Sequence, residues 1–328
     1  MNYEDLVCDA NSIYEGYLSS IKGSAWKEST QKYMLNYLHN IFKIQHHLQT
    51  RTLQNGKAGA FILSERGKTR FITSIPIQDR IVRHVLCDKV LLPEIKKRII
   101  YDNGASVKGR GLSFSRGRFE THLRKYYMKY GNAGYILFGD FSKFYDNIIH
   151  KTAINQLLHL VDNDPFVEWL LSVIFKAFET DVSYLSDDEH SHCYSSIFNR
   201  LQYETTANQS TLTGSKIMKK SVSIGDQLSQ VIGTYYPHDI DNYVKYVRQQ
   251  KYYGRYQDDW YIMNPDKQEL DSLRTEVTGI ASRLGIHINE KKTRIVSIKG
   301  PYKYLQIKYC LGKTGKINKS IDPKNFQE

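Results

Sequence analysis

Apolar residues recur at helical spacing along the first part of the chain. One predicted helical face carries Leu35, Leu38, Ile41 and Ile44. This spacing predicts two helices, over residues 3–21 and 26–49, with a short glycine- and serine-containing turn between them.

Two apolar runs separated by a polar turn come next. The segment AFILSERGKTRFITSIP (60–76) predicts a strand, a turn at ERGK and a second strand that ends at Pro76. The segment IQDRIVRHVLCDKVLLPEIKKR predicts an amphipathic helix, because its apolar and basic residues lie largely on different sides. Residues 103–119 are glycine-rich and basic but lack P-loop spacing, so they predict a loop that opens the basic helix RFETHLRKYYMKY.

The middle of the chain mixes regular and irregular patterns. Residues 133–148 predict a strand and a sharp turn, and residues 151–177 predict a helix. Residues 178–219 are polar and show no period, which indicates an insertion or a mobile loop. A further helix is predicted over about 227–247.

The last third of the chain predicts mainly strands. KYYGRYQDDWYIMN predicts a hairpin. LDSLRTEVTGIASRLGIHINEKKTRIVSI predicts a helix that stops at Gly285, then a strand, a turn and a strand; YKYLQIKYCL predicts one more strand. Because helices and strands alternate irregularly, the pattern favours an α+β fold with a mixed sheet over a doubly wound parallel one.

Composition adds a basic charge to this picture. The 328 residues are 41% hydrophobic and 24% charged, as in an ordinary soluble globular protein. Lys and Arg number 46 against 34 Asp and Glu, a net charge of +12 that is spread along the chain. A solvated basic face would explain the charge, but a polyanionic partner such as nucleic acid explains it better at this size.

Cysteine usage and hydropathy indicate the compartment. The four cysteines, Cys8, Cys87, Cys193 and Cys310, form no CxxC pair. The spacing argues against a zinc site and a disulfide framework, and it fits a reducing cytoplasm. Early acidic residues argue against a signal peptide, and no apolar run is long enough to predict a membrane span.

The adjacent carboxylates Asp258 and Asp259 need an explanation, because they lie within an aromatic run. They could be the solvated tip of a hairpin, or they could be ligands of a hard divalent cation. The second reading needs another carboxylate. Asp140, directly after the apolar strand YILF, is the best candidate; Asp146 is a second option, but a helix cap or turn explains it more simply.

At this point the chain resembles the reverse transcriptases. DFSKFYD resembles their first palm motif, SIGDQLSQ the next, YQDD their Y-x-D-D box, LGIHINEKKT the fourth motif, YKYLQIKY the primer grip, and GKTRFITSIP with QDRIVRHVL the fingers motif. Six motifs occur in the family's order over about residues 60–310. The resemblance implies a right-hand polymerase fold with fingers and palm, and a mixed or antiparallel palm sheet flanked by helices.

The second motif indicates a subclass. Ile224 stands where many reverse transcriptases have Gln, and Gln230 stands where they have Pro. The IGxxxSQ form is similar to the bacterial enzymes of diversity-generating retroelements, and to abortive-infection and other defence-associated reverse transcriptases. It implies RNA-directed DNA synthesis in phage defence or a retroelement. Template-independent or protein-primed synthesis in a defence system stays open, as does a catalytically silent RNA-binding scaffold.

The resemblance also implies roles for individual residues. Asp140, Asp258 and Asp259, with the backbone carbonyl of Phe141, would hold two Mg²⁺ ions, for which Mn²⁺ could substitute. Lys292 matches a lysine proposed to protonate pyrophosphate, although Lys291 leaves the register open. The incoming nucleotide would meet Lys68 and Arg70 at its triphosphate, Tyr145 as a steric gate against ribonucleotides, and Ile224, Gly225 and Gln257. Nucleic-acid contacts would come from Arg110, Arg116, Arg118, Ser229, Gln230, Tyr304 and Leu305.

The resemblance divides the chain into three functional parts. Residues 1–105 would form N-terminal helices and fingers, and residues 106–300 the fingers and palm catalytic core, with the insertion at about 178–219. Residues 301–328 would form the primer grip and a truncated or missing thumb. A protein partner or homo-oligomer would then replace the thumb. The other implied partners are an RNA template, which we expect to be a dedicated non-coding RNA, the cDNA product and dNTPs.

Overall fold

The computed structural model describes residues 2–65, 67–206 and 212–321. The helices within these ranges, in chain order, are α1 Tyr3–Cys8, α2 Ala10–Ile21, α3 Glu28–Met34, α4 Tyr37–Gln49, α5 Ile77–Val85, α6 Leu92–Arg98, α7 Leu112–Tyr130, α8 His150–Leu160, α9 Pro165–Lys176, α10 Asp187–Ser195, α11 Arg200–Thr206, α12 Gln227–Tyr235, α13 His238–Asn242 and α14 Lys267–Arg283. Two π-helical segments, Leu86–Leu91 and Tyr243–Val247, and a 3₁₀ segment, Phe144–Asn147, join them.

The strands of the same ranges form small antiparallel sheets. In chain order they are β1 Gly59–Glu65, β2 Lys68–Ser74, β3 Tyr135–Asp140, β4 Thr180–Asp181, β5 Ile217–Met218, β6 Tyr253–Tyr256, β7 Asp259–Asn264, β8 Arg294–Ser297, β9 Tyr302–Tyr304, β10 Ile307–Leu311 and β11 Ile317–Ile321. The sheet orders are β1-β2, β4-β5, β6-β7-β3-β8 and β11-β10-β9. This mixture of helix and antiparallel sheet confirms the predicted α+β class.

The chain divides into two compact units. One combines Met1–Arg98 with Tyr145–Ile232, and the other combines Ile99–Phe144 with Gly233–Glu328. These units cut the chain differently from the fingers, palm and thumb boundaries, which stay predictions. The ERGK turn at Arg66, residues 207–211 of the predicted insertion and residues 322–328 lie outside the described residues.

The first unit is mainly helical and carries the β1-β2 hairpin. Helix α2 packs closely against α5, because Gly16 has no side chain: a Cβ there would lie 2.7 Å from Val85 Cγ2 and 2.9 Å from the Ile81 carbonyl oxygen. The hairpin is paired from Gly59↔Ser74 to Glu65↔Lys68, which confirms the predicted strand–turn–strand. Its first strand is exposed along its whole length.

The second unit is built on the four-stranded sheet. One side of this sheet packs on α7 and on the β9-β10 hairpin, in a core that is rich in aromatic rings. Its buried members include Phe119, Tyr126, Ile136, Tyr261, Met263, Tyr302, Tyr304 and Tyr309. These rings contact one another mainly edge-on or tilted, as in Phe119 with Tyr261 at 4.8 Å between centroids. Many of the chain's tyrosines are therefore core residues.

Four of the predicted helices are interrupted, and each break has a local cause. The helix predicted over 151–177 divides into α8 and α9, because Asp162 and Asn163 take positive φ (51° and 57°) and Asp164 caps α9. Asp9 ends α1 and caps α2, since its carboxylate accepts the Ser12 N–H at 2.8 Å. Asn36 has a non-helical backbone and separates α3 from α4. Pro237 separates α12 from α13, because proline has no N–H to donate within a helix.

Two strand predictions near the end of the chain are corrected. Of the expected strand pair after Gly285, Arg294–Ser297 forms a strand, whereas Ile288 makes a single bridge to Phe141. The segment YKYLQIKYCL is a hairpin, because Leu305 and Gln306 both take positive φ (44° and 71°) and reverse the chain.

Of the two predictions for residues 178–219, the mobile loop is wrong for the described part, and the insertion stays a prediction. Strands β4 and β5 pair, and α10 and α11 lie between them in sequence. A small core of Val182, Cys193, Phe198 and Met218 is buried between these elements. Its apolar residues are too few and too widely spaced to give a visible period, so the sequence pattern missed them.

Candidate active site

The three candidate aspartates meet at one end of the β3-β7 pair in the second unit. Strand β3 ends at Asp140 and β7 begins at Asp259, and the two residues are direct partners across the antiparallel pair. Asp258 occupies the turn between β6 and β7, where its carbonyl accepts the Phe141 N–H at 3.3 Å. The fold thus brings together carboxylates that are far apart in sequence.

The chain segment after α14 supplies two partners to Asp140. The Ser142 N–H donates to the His287 carbonyl at 2.7 Å, and the Asn289 N–H donates to the Asp140 carbonyl at 2.8 Å. These backbone bonds hold the segment alongside the end of β3. As a result, the Asn289 amide donates to Asp140 Oδ1 at 2.8 Å and the Lys292 ammonium donates to Oδ2 at 2.6 Å.

One of the two adjacent lysines forms an ion pair with Asp140. Lys292, not Lys291, contacts Asp140. Burial alone would lower the pKa of Lys292, but the hydrogen bond to Asp140 and the nearby carboxylates of Asp259 and Asp258 raise it above its usual value. The side chain is therefore an ammonium at neutral pH. Asn289 was missed in the sequence, although it lies three residues before Lys292 in the same motif.

The donor set has the chemistry that a hard divalent cation requires. Asp140, Asp258 and Asp259 offer carboxylate oxygens, the ligand type that Mg²⁺ and Mn²⁺ prefer. The Lys292 ammonium on Asp140 Oδ2 shows that this oxygen already faces a position that a cation occupies. Among residues 2–65, 67–206 and 212–321, no group of three His, Cys, Asp or Glu side chains is preassembled as a metal cage. The residues fit a metal by charge and ligand type.

A buried arginine holds the turn that carries Asp258. Arg255 is fully buried and makes a two-bond pair with Asp241, at 2.8 Å and 2.7 Å. It also donates to the carbonyls of Thr234, at 2.7 Å, and Gln257, at 2.9 Å. Gln257 has φ of 54°, and its side chain donates to Ser106 Oγ at 2.8 Å. Gln257, which the resemblance assigned to the incoming nucleotide, is thus held at both its backbone and its side chain.

The first unit holds the predicted nucleotide loop. Ile224, in the segment before α12, forms a parallel bridge with Ile72 of β2, the strand that also carries Lys68 and Arg70. Gly225 follows with φ of 101°, a conformation that favours glycine. The structure therefore joins the second-motif loop directly to the hairpin strand.

A second buried ion pair supports this loop. Arg83 on α5 donates to the Asp226 carboxylate at 2.5 Å, and both side chains are almost fully buried. Asp226 comes directly after Gly225, so the pair anchors the loop to α5. The sequence reading placed Arg83 on a polar helix face and missed this role. Removing either partner would leave a buried charge without compensation.

The family comparison agrees with this arrangement. The family model described as reverse transcriptase (RNA-dependent DNA polymerase) matches residues 56–309. The chain belongs to the reverse transcriptase family. It is therefore an RNA-directed DNA polymerase, a nucleotidyltransferase with the right-hand polymerase fold, and it uses an RNA template and dNTPs. A search of the curated proteins finds no match to the chain.

The residues predicted to bind the triphosphate lie on an exposed hairpin. Lys68 is exposed and pairs in register with Glu65, while Arg70 is half-buried and lies 3.9 Å from the Glu65 carboxylate. Tyr145 is half-buried in the 3₁₀ segment, and its carbonyl accepts the Val222 N–H at 3.0 Å. The gate candidate is thus bonded through its backbone to the segment that leads to Ile224.

The predicted nucleic-acid contacts differ in accessibility. Gln230 is exposed, whereas Ser229, one residue earlier on α12, is buried. In the second unit, Tyr304 is buried in the aromatic core and Leu305 lies at the hairpin turn, where its carbonyl accepts two bonds from Arg116, at 2.9 Å and 2.7 Å. Arg116 therefore holds the turn of the hairpin that is predicted to be the primer grip.

The other two arginines of the glycine-rich segment also bond to protein groups. Arg118 donates to the Asp102 carboxylate at 2.7 Å, and Arg110 donates to the Asn103 carbonyl at 2.7 Å. Both residues are half-buried. No helix in the described part of the chain has the length and apolar content of a membrane span.

Proposed function

We propose that this reverse transcriptase makes cDNA by two-metal nucleotidyl transfer at Asp140, Asp258 and Asp259. The observation that supports the proposal most strongly is the register pairing of Asp140 with Asp259, with Asp258 in the adjoining turn. Metal ions bound there would activate the primer 3′ hydroxyl and neutralise the triphosphate. The Phe141 carbonyl is proposed as a further ligand.

The protein's own groups would orient the reactants. Lys68 and Arg70, on one strand, would hold the triphosphate, since arginine suits bidentate phosphate contact and lysine acts as a point charge. Tyr145 would exclude a 2′ hydroxyl. Ile224 and Gly225 would flank the nascent base pair, and Gln257 would fix the turn beside it.

The template and primer would contact the remaining candidate residues. Gln230, with Ser229 beneath it, would lie along the template, and Tyr304 and Leu305 would support the primer end. Arg110, Arg116 and Arg118 would contact phosphates without reading sequence. Lys292 would donate a proton to the leaving pyrophosphate.

The biological setting is proposed from the second motif. The IGxxxSQ form, with Ile224 and Gln230, supports a bacterial enzyme of the diversity-generating or defence-associated class, copying a dedicated non-coding RNA. Relaxed fidelity fits this setting, because an aliphatic side chain at Ile224 makes no directional bond to the nucleotide.

Primer extension with product sequencing tests this function. Purified protein receives a defined RNA template, a DNA primer, dNTPs and Mg²⁺, with Mn²⁺ and EDTA arms. The proposal expects cDNA complementary to the template. Untemplated products would instead support template-independent synthesis. No incorporation under any metal or primer condition would support a catalytically silent RNA-binding scaffold.

A further inference from the structure

Lys292 makes an unequal pair with Asp140. The carboxylate is buried and fixed, because Asn289 bonds to Oδ1 and the backbone of Asp140 is held within β3. The lysine side chain is 52% exposed, so it can leave without disturbing packed residues. A fixed anion is thus paired with a cation that is free to move.

The charges of the site explain why an ammonium lies there. Asp140 and Asp259 are strand partners and Asp258 adjoins them, so like charges are concentrated at one end of the sheet. The same three carboxylates raise the pKa of Lys292. The positive charge of Lys292 partly relieves their repulsion.

A divalent cation and this ammonium would compete for the same oxygen. Nζ lies 2.6 Å from Asp140 Oδ2. A Mg²⁺ ion on Oδ2, at its usual distance of about 2.1 Å, would lie within about 5 Å of Nζ, close enough for strong repulsion. The neutral amide of Asn289 on Oδ1 adds no such repulsion, so it can stay.

We propose that Lys292 is a built-in substitute for a divalent cation, and that metal binding at Asp140 expels its ammonium from the carboxylate. This rests on the proposed metal role of Asp140. Metal loading and release of Lys292 then form one event, which frees the ammonium for phosphate groups only once metal has bound. Because metal binding must break the ion pair, the site should bind metal more weakly than the same site without Lys292 would.

Direct Mn²⁺ binding tests the proposal without any turnover. Free Mn²⁺ is measured by electron paramagnetic resonance during titration of the wild type, Lys292→Gln, Lys291→Gln and Asp140→Asn, without nucleotide or nucleic acid. Lys292→Gln should bind Mn²⁺ about two- to fivefold more tightly, in keeping with the strength of a half-exposed ion pair. Lys292→Arg should stay near the wild type, because it keeps a cation at Asp140.

Lys291→Gln is the matched control. Lys291 is exposed and adjoins Lys292, so this substitution removes the same charge one residue away. Its affinity should equal that of the wild type. If Lys292→Gln and Lys291→Gln bind Mn²⁺ equally, or if Lys292→Gln binds it more weakly, the competition is disproved while the metal assignment stands. If neither the wild type nor Lys292→Gln loses affinity on Asp140→Asn replacement, the metal assignment itself fails.

Discussion

Ile224 and Ile72 form a parallel bridge, so the second-motif loop runs alongside the hairpin strand β2 at this point. Through Gly225 and Asp226 the same loop is anchored by the buried Arg83. Ile224, which we propose affects fidelity, is thus held beside β2, the strand that we propose binds the triphosphate.

Replacing Ile224 with Gln should lower the error rate of cDNA synthesis. Ile offers only surface contact, which differs little between a correct pair and a near-isosteric mismatch, and such discrimination is worth about 1–3 kcal/mol. A Gln that hydrogen-bonds to the nucleotide should reduce misincorporation by up to about tenfold. Deep sequencing of cDNA made by the wild type and by Ile224→Gln measures the error rate, with Ile224→Leu as the apolar control. Indistinguishable error spectra for all three proteins would show that Ile224 does not set fidelity.

Replacing Tyr145 with Val should admit ribonucleotides. The Tyr145 carbonyl accepts the Val222 N–H, and this backbone bond does not involve the ring, so the backbone at residue 145 should keep its position in the variant. Extension with rNTPs alone is the measurement, and Tyr145→Phe is the control that keeps the ring. A folded Val variant that still rejects rNTPs would exclude this residue as the gate.

Replacing Arg255 with Lys should slow nucleotide incorporation at least tenfold with a smaller change in KM. Lysine keeps the charge but cannot bond to Asp241, Thr234 and Gln257 together, so the turn before Asp258 loses its restraint. Lost buried hydrogen bonds should also reduce the free energy of unfolding by about 1–3 kcal/mol.

Single-turnover kinetics and thermal unfolding give the two readouts for Arg255. The control is Arg248→Lys, the same substitution at a half-exposed pair with Glu269 and Glu276. A rate for Arg255→Lys that matches the wild type in a stable protein would show that the turn does not depend on this side chain.

Acid should weaken the first unit through His150. Burial lowers the pKa of His150 to about 4, against a partial opposing effect of its bond to the Ser221 carbonyl. The folded pKa is below the unfolded value of about 6.5, so the unfolded state binds more protons between these values and stability falls as pH drops through this window. The loss should reach about 3 kcal/mol at full protonation.

Urea unfolding of the wild type and His150→Gln, at pH 7 and at pH 4.5, measures this contribution. Gln keeps a donor for Ser221 but does not titrate. The variant should therefore lose less stability on acidification than the wild type. Equal losses would mean that His150 does not carry the acid sensitivity.

The sequence predicted the parts of the site that follow strong local patterns. Asp140 ends an apolar strand and Asp258 and Asp259 interrupt an aromatic one, and the fold aligns these two strands. Helix breaks at Asp9 and Pro237 were missed because the helical spacing continues across them. Asn289 and the Arg255–Asp241 pair depend on contacts between distant segments, which no local pattern encodes.

The central claim is that Asp140, Asp258 and Asp259 form the polymerase centre, and their isosteric replacement tests it most directly. Asp140→Asn, Asp258→Asn and Asp259→Asn should each reduce templated incorporation by at least about a thousandfold, because each removes a charged ligand. Asp146→Asn, in the neighbouring 3₁₀ segment, is the control that should stay active. The measurement is single-nucleotide extension of a DNA primer on RNA, with folding checked by circular dichroism. Loss of extension in all three variants but not the control is the predicted result; normal extension by a folded Asp140→Asn enzyme would contradict it.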